Sequence, residues 1–378
     1  MKIKIIKSTE ELVALAQEWN ALLKESADNV IYLTHEWIMA WWNSFGNGSR
    51  LNVIAVYNGS GRLVGIAPMM FTKNKYRGVN ITKTCLMANG HSPSSNFIVS
   101  KKNSEEIIKA ILNHLRGIPD TNIIELTKLD ANSQTYSIAL DYLNMNGSRF
   151  GIKESTNSPY ILINSDWEAF FSGRSQRFRK SLRNKINRAN KSGDLSIEKI
   201  QINDSKNPAI QDMFAISGKS WKKKIGTDLT SNPQSKDFHL EICDRLGPQG
   251  IVSIFFLKKG GTPIAFEFHL TYDNVVYPIR ADYDESFSDL SPGSVLEYNI
   301  IKTLFDEGRI KEYNTCGHTY NYLMNWSEDT RKHANIEIFS KNYMSYGLYN
   351  LEYKLIPFIR KIKLNKVKQQ IMNLGETN

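Results

Sequence analysis

VVYPIRADY at residues 275–283, DESFSDL at 284–290 and SPGSVLEYNIIKTLFDEG at 291–308 follow one another without interruption. The first block is short, apolar and β-branched, and reads as a strand. The second is acidic and flexible, and the third opens a helix. Ser291 suits an N-cap, Pro292 the first helical position, and Gly293 leaves the backbone open to a ligand. Ser294 with Glu297 offers an alternative capping box one turn later. In either register, unpaired amides and the helix dipole converge on Ser291 to Ser294, a ready anion site. Leu296, Ile300, Leu304 and Phe305 supply the buried stripe, and residues 312–316 read as a further strand. A strand, one crossover helix and a second strand predict the parallel end of a mixed sheet.

Upstream, residues 251–257 and 263–272 read as strands, with turns at Lys259-Gly260-Gly261 and Asp273-Asn274. Helix-rich segments at 167–193 and 208–221 precede them. The first half has the same outline: helices at 11–24 and 35–45, strands at 51–57 and 62–70 around Asn58-Gly59-Ser60-Gly61, a helix at 107–115, a strand at 122–126 and a helix at 134–145. No residue-level repeat accompanies this order. At 378 residues the chain exceeds the usual size of one core. The expected class is α/β with an α+β mixed sheet, in domains 1–155 and 156–342 divided at the turn-rich residues 144–156, followed by a basic amphipathic tail at 343–378.

Cys85, Cys243 and Cys316 are odd in number and far apart, so neither a disulfide framework nor a thiolate zinc site is indicated. No His-x-x-x-His pair has an acidic partner, and no metal is expected. The first residues lack the apolar core of a signal peptide, and no run reaches the about 20 apolar residues of a membrane span. A cytoplasmic protein is expected, at most peripheral at the inner membrane face. The net charge of +10 favours polyanionic partners. Two segments concentrate it. Residues 174–191 form an amphipathic helix with a strongly cationic face, where Arg177 and Arg179 are candidate substrate-binding residues. The tail mixes Tyr346, Tyr349, Tyr353, Ile356, Phe358 and Ile359 with lysines, a pattern that fits either an interfacial helix on anionic lipid or a tail docked on its own protein.

Taken together, several motifs resemble the CelD/BcsL-like branch of the GNAT acetyltransferases. They are Pro263-Ile264-Ala265, Ala281-Asp282-Tyr283-Asp284, Ser291-Pro292-Gly293, a helix ending at Gly308, a strand closing at Gly317, and the aromatic pair Tyr322 and Trp326. In the first half, the Trp37/Trp41 helix and Leu63-Val64-Gly65-Ile66-Ala67-Pro68 agree with that branch, as does Ser175-Gln176-Arg177-Phe178-Arg179 at the start of the second. Leu323 stands where the branch usually has lysine, and residues 312–316 lack its usual terminal aspartate. The resemblance implies tandem GNAT-like domains, shared with the Fem-type aminoacyl transferases. It implies acetyl-CoA or another acyl-CoA as donor, with its pyrophosphate on Ser291, Pro292, Gly293 and Ser294. It also implies a saccharide or lipid-linked saccharide acceptor for the envelope. The alternatives are a Fem-type enzyme using aminoacyl-tRNA, the one reading that brings in nucleic acid, and a non-catalytic scaffold in polysaccharide assembly.

Acylation of an amine or hydroxyl needs a base, donors for the oxyanion and an acid for the leaving group. The candidate bases are Glu267, Asp282 and Asp284. Strand alternation places Glu267 and His269 on one face, opposite Phe266 and Phe268. Tyr322 is the candidate acid, and Arg280 and His318 join the substrate-binding candidates. Cys316 with His318 is rejected as a thiol nucleophile, because nothing visible orients the histidine.

Overall fold

A computed structural model describes residues 1–317 and 319–362. The first half comprises β1 (Lys2–Ile6), α1 (Thr9–Ala14), α2 (Ala16–Glu25), α3 (His35–Phe45), β2 (Arg50–Leu51), β3 (Val53–Tyr57), β4 (Leu63–Ala67), β5 (Met69–Tyr76), β6 (Val79–Leu86), β7 (Ile98–Val99), α4 (Ser104–Arg116), β8 (Ile123–Asp130) and α5 (Gln134–Met145). Next come β9 (Arg149–Leu162), α6 (Trp167–Ser172), α7 (Gln176–Lys191), β10 (Leu195–Gln201), α8 (Ala209–Gly218), α9 (Pro233–Leu246), β11 (Val252–Lys259), β12 (Thr262–Tyr272) and β13 (Val275–Tyr283). The chain closes with α10 (Pro292–Glu307), β14 (Glu312–Asn314), α11 (Asn321–Met324), β15 (Thr330–Phe339) and α12 (Tyr343–Asn350).

An eleven-stranded mixed sheet, in the order β10-β11-β12-β13-β14-β9-β15-β8-β6-β5-β2, runs through the molecule. A second sheet of four strands has the order β1-β3-β4-β7. The expected strands at 51–57 and 62–70 are each divided. At Asn52 and Pro68 the paired chains leave one sheet for the other, a corner that Pro68 suits because it donates to no ladder. Two parallel pairs exist, β6 with β8 and β13 with β14, and each is joined by one crossover helix, α4 or α10.

Residues 144–156, expected as a turn-rich boundary, hold only a short turn before the 14-residue β9. Its first part pairs with β15 and its last three residues with β14, so it stitches the two halves into one sheet. The polar run Lys153-Glu154-Ser155-Thr156-Asn157-Ser158 masks it in the sequence. Ladders on both sides hold the strand in spite of that composition. β15 in turn carries residues 330–339 back against β8 of the first half.

One apolar core joins Trp19, Trp37 and Trp41 of the N-terminal helices to Met213, Phe238 and Ile242 of α8 and α9. The rings of Trp37 and Phe238 meet edge-on at 5.1 Å. On the opposite side of β11 to β13, a separate core gathers Trp167, Phe171, Leu182, Val295, Ile300 and Phe305 from α6, α7 and α10. Strands β12 and β13 thus have one face toward α10 and the other toward α8, and each face carries a polar cluster.

Candidate active site

Helix α10 begins where the sequence places it, with Ser291 at the N-cap position, but without a side-chain capping bond. Ser291 is the N-cap in the left-handed region (φ 52°), and no side chain caps the first turn. Its hydroxyl instead accepts a bond from the Arg188 guanidinium at 2.9 Å. Ser294 lies inside the helix and accepts from Lys185 Nζ at 3.0 Å, so the Ser294/Glu297 capping box is not formed. Two cations of α7 therefore stand over an N-terminus that has no acidic residue in its first turn. The other crossover helix, α4, also starts from a left-handed cap, Asn103, but carries Glu105 and Glu106 in its first turn. Anion affinity is thus concentrated at α10. An added Cβ on Gly293 would meet only Tyr283 Cδ1, at 3.6 Å, so the approach to its backbone is open.

On the α10 face, Glu267 is buried and accepts from Tyr313 Oη at 3.1 Å, while His269 Nε2 lies 2.8 Å from the same carboxylate oxygen. The expected shared face of Glu267 and His269 is present, closed over by Tyr313 and Phe255. Glu297 stands nearby, half-buried, and takes a bond from Trp326 Nε1 at 2.8 Å. Burial and the Glu267 charge raise the Glu297 carboxyl above its ordinary range, and only Trp326 and Lys185 oppose the rise. A cavity of about 410 Å³ opens here, lined by Arg177, Lys185, Ser294, Glu297, Tyr322 and Trp326. Burial and then the Glu297 charge push the Tyr322 hydroxyl up to about 12, so it stays protonated at neutral pH. Tyr322 itself is largely exposed on α11.

Asp282 lies on the other face. Opposite Phe268 and His269, β13 contributes Arg280 and Pro278, leaving Ile279 as the extra residue of a bulge. The bulge reverses the alternation of β13, so Arg280 and Asp282 point toward α8. There Asp282 accepts from Ser217 Oγ at 2.6 Å and Arg280 Nε at 2.8 Å, and pairs with Lys222 at 2.5 Å. A second cavity, of about 370 Å³, opens on this side between the loop at Gly90, His91 and Pro93 and the segment holding Asp228 and His239, with Arg280 and Cys316 also on its wall. Burial pushes the His239 imidazole down to about 3, which keeps it neutral. Asp228 Oδ2 is buried there without a hydrogen-bond partner. Among the described residues, β13 and β14 pair only at Val275/Glu312 and Val276/Tyr313.

The remaining candidates separate. Asp284 caps the 3₁₀ turn Glu285–Leu290, accepting from the Ser286 amide and hydroxyl, with Lys219 at 3.3 Å. Burial raises its carboxyl, but those bonds and Lys219 outweigh it and hold it below the ordinary value. Arg179 is turned back on its own helix, its Nε on the Arg174 carbonyl at 3.0 Å. His318 lies outside the described residues. Lys185, Arg188, Glu297, Tyr313 and Asp228 were not among the candidates; the cationic run 174–191 signalled Lys185 and Arg188, and the i, i+3 spacing of Ser294 and Glu297 signalled Glu297, while Tyr313 and Asp228 carried no signal. Among the described residues, no group of three or more His, Cys, Asp or Glu is arranged to hold a metal ion.

The fold that carries this arrangement has counterparts. Residues 176–323 match the family model described as an acetyltransferase (GNAT) domain. Over this stretch the fold is GNAT-like. Among solved structures, FemX superposes with a TM-score of 0.60 at 14% identity, covering 93% of this chain and 100% of its own. The C-terminal domain of a putative lysylphosphatidylglycerol synthetase from Agrobacterium fabrum gives 0.53 at 9% identity, covering 89% and 95%. A tandem GNAT protein from the clavulanic acid biosynthesis pathway gives 0.52 at 10% identity, covering 89% and 98%. No curated protein matches the sequence.

Proposed function

We propose that the chain is a transferase that moves an aminoacyl group from aminoacyl-tRNA to a polar acceptor of the cell envelope. One observation carries this reading: the cationic face of α7 is laid over the uncapped start of α10. Lys185 and Arg188 bond Ser294 and Ser291 where a donor's phosphate would be received. Most of α7 precedes that point, and the helix carries seven lysines and arginines and no acid in 16 residues, over about 24 Å. One pyrophosphate does not need so long a face, whereas a nucleic-acid backbone does. The likeness to FemX points the same way, and that to the lysylphosphatidylglycerol synthetase domain agrees with an envelope acceptor. The acyl-CoA reading stands second, supported by the acetyltransferase description of the matched family. Placement in the CelD/BcsL-like branch belongs to that second reading, and a tandem GNAT architecture to both. The parallel strand–helix–strand units around α4 and α10, each entered through a left-handed cap, support the tandem arrangement.

The donor carbonyl sits between the separating ends of β13 and β14, within reach of Glu297 and Tyr322. The acceptor's nitrogen or oxygen enters from the Arg280/Asp228 side and attacks the carbonyl as the donor's ester or thioester bond breaks. Glu297 in its ionised form, made more basic by its raised pKa, takes the acceptor's proton, and Tyr322 supplies one to the leaving oxygen or sulfur. Glu267 holds Tyr313 and tunes Glu297 by its charge.

Thermal stabilisation by aminoacyl-tRNA, uncharged tRNA and acetyl-CoA, measured side by side, tests the reading. A ligand at 100 times its Kd adds about 2.7 kcal/mol. Gly293→Glu places a negative group on the phosphate position, while Gly293→Ala adds one tolerated methyl. The glutamate variant is expected to melt like the parent yet lose the shift with charged tRNA, and the alanine variant to keep most of it. Retention of the full shift in Gly293→Glu places the donor elsewhere. A shift with acetyl-CoA and none with charged tRNA selects the second reading.

A further inference from the structure

The C-terminal helix leaves the body of the protein with an apolar face that nothing in the described structure covers. Its first part is firmly seated. Leu348 is buried, Tyr353 Oη donates to the buried Glu337 at 2.8 Å, and Glu352 binds Arg77 and Lys153. The Tyr353 ring fits over Gly151 of β9, where a Cβ would lie 2.0 Å from it. One wide π-type turn, Leu351–Leu355, then re-phases the helix ahead of Pro357, which has no N–H to donate back to residue 353. Past this turn the seating ends. From Lys354 to Ile362 every residue except Ile356 is exposed, although six of these nine are apolar. Leu355 is 50% exposed and Phe358 61%, with Ile359 and Ile362 beside them. Spacings of three, four and seven put these four side chains on one helical face. Lys354 and Lys361 flank that face, Arg360 lies across from it, and the sequence continues with Lys363, Lys366 and Lys368.

We propose that this face docks the protein on an anionic lipid surface. The charge around the stripe is wholly positive between Lys354 and Lys361, which suits anionic headgroups. Nucleic acid has no use for a row of leucine, isoleucine and phenylalanine. A second copy is disfavoured, because four side chains fall far short of the about 20 to 30 residues per side of a stable interface, and a symmetric pairing would bring the basic flanks together. At its other end the same helix starts beside a cleft of about 410 Å³ lined by Arg116, Arg149 and Lys341, with Arg149 stacked 4.5 Å over the Tyr346 ring. The docking is independent of which donor the active site takes.

The test is cosedimentation of the full chain with phosphatidylglycerol/phosphatidylcholine vesicles, with pure phosphatidylcholine as the comparison. The parent chain is expected to bind the anionic vesicles, and binding should weaken as salt rises. Phe358→Ser, Ile359→Ser and Ile362→Ser combined should weaken it at least tenfold with an unchanged melting temperature, because these side chains are exposed. Lys354→Glu with Lys361→Glu should abolish the preference for anionic vesicles. Vesicle binding equal to the parent's in the triple serine variant overturns the proposal. So does failure of the parent chain to bind, whether its stripe is then shown to hold a second copy, by a dimer that the serine variant dissociates, or to be covered by its own last residues.

Discussion

Glu297 shows how much of a site depends on neighbours distant in sequence. Its carboxyl meets Trp326, 29 positions away, and lies in the field of Glu267 from another strand. Its pKa is raised above the ordinary 4.5, so the folded state holds a proton that the unfolded state releases. That stabilisation is complete below the unfolded value and is lost as pH rises through the raised one. Glu297→Gln is therefore expected to flatten the fall in melting temperature on the alkaline side of pH 5, and to lower turnover at least about a hundredfold while leaving donor affinity intact. A melting profile that falls with pH as steeply as the parent's, or near-normal turnover, removes Glu297 from this role. Glu267 and Asp282 were both legible as candidate bases on central strands. That they lie on opposite faces of the sheet was not, because the bulge at Ile279 changes the parity of β13 after the strand pattern has been read.

At the scale of elements, the strand–helix–strand unit around α10 was legible because caps, proline, glycine and the apolar stripe are all local. Strands β9 and β15 were not, since polar residues dominate the middle of β9 and β15 acquires its meaning only beside β8. α9 left a signal that was passed over: Asn232 caps it and Pro233 opens it. The seating of α12 on β9 gives a direct prediction. Gly151→Ala would drive a methyl into the Tyr353 ring, and a β-strand offers no easy relaxation, so a loss of about 1–3 kcal/mol is expected as a lower melting temperature. Gly151→Ala with Tyr353→Ala should remove the clash and recover part of that loss. A single Gly151→Ala variant as stable as the parent shows that Tyr353 is not held there.

For the whole molecule, the return of β15 between β8 and β9 couples the halves. Cutting at residue 155 strips β8 of this neighbour and exposes Ile124 and Leu126, both buried in the intact protein. The fragment 1–155 is expected to be insoluble or molten, and the full chain to unfold in one transition by fluorescence and circular dichroism. A well-dispersed NMR spectrum from the isolated fragment contradicts this. The sequence alone determined what is written over a few residues: the order of strands and helices from 275 to 316, the amides gathered at Ser291 to Ser294, the cationic face of α7 and the basic, apolar tail. These depend on propensity, capping and charge, which act within one or two turns. The tertiary structure decided which carboxylate lies on which face of the sheet, that Lys185 and Arg188 meet the start of α10, and that β9 joins the halves instead of dividing them. Those outcomes arise from a bulge that shifts strand parity and from ladders between segments up to about two hundred residues apart, and no local window of sequence records either.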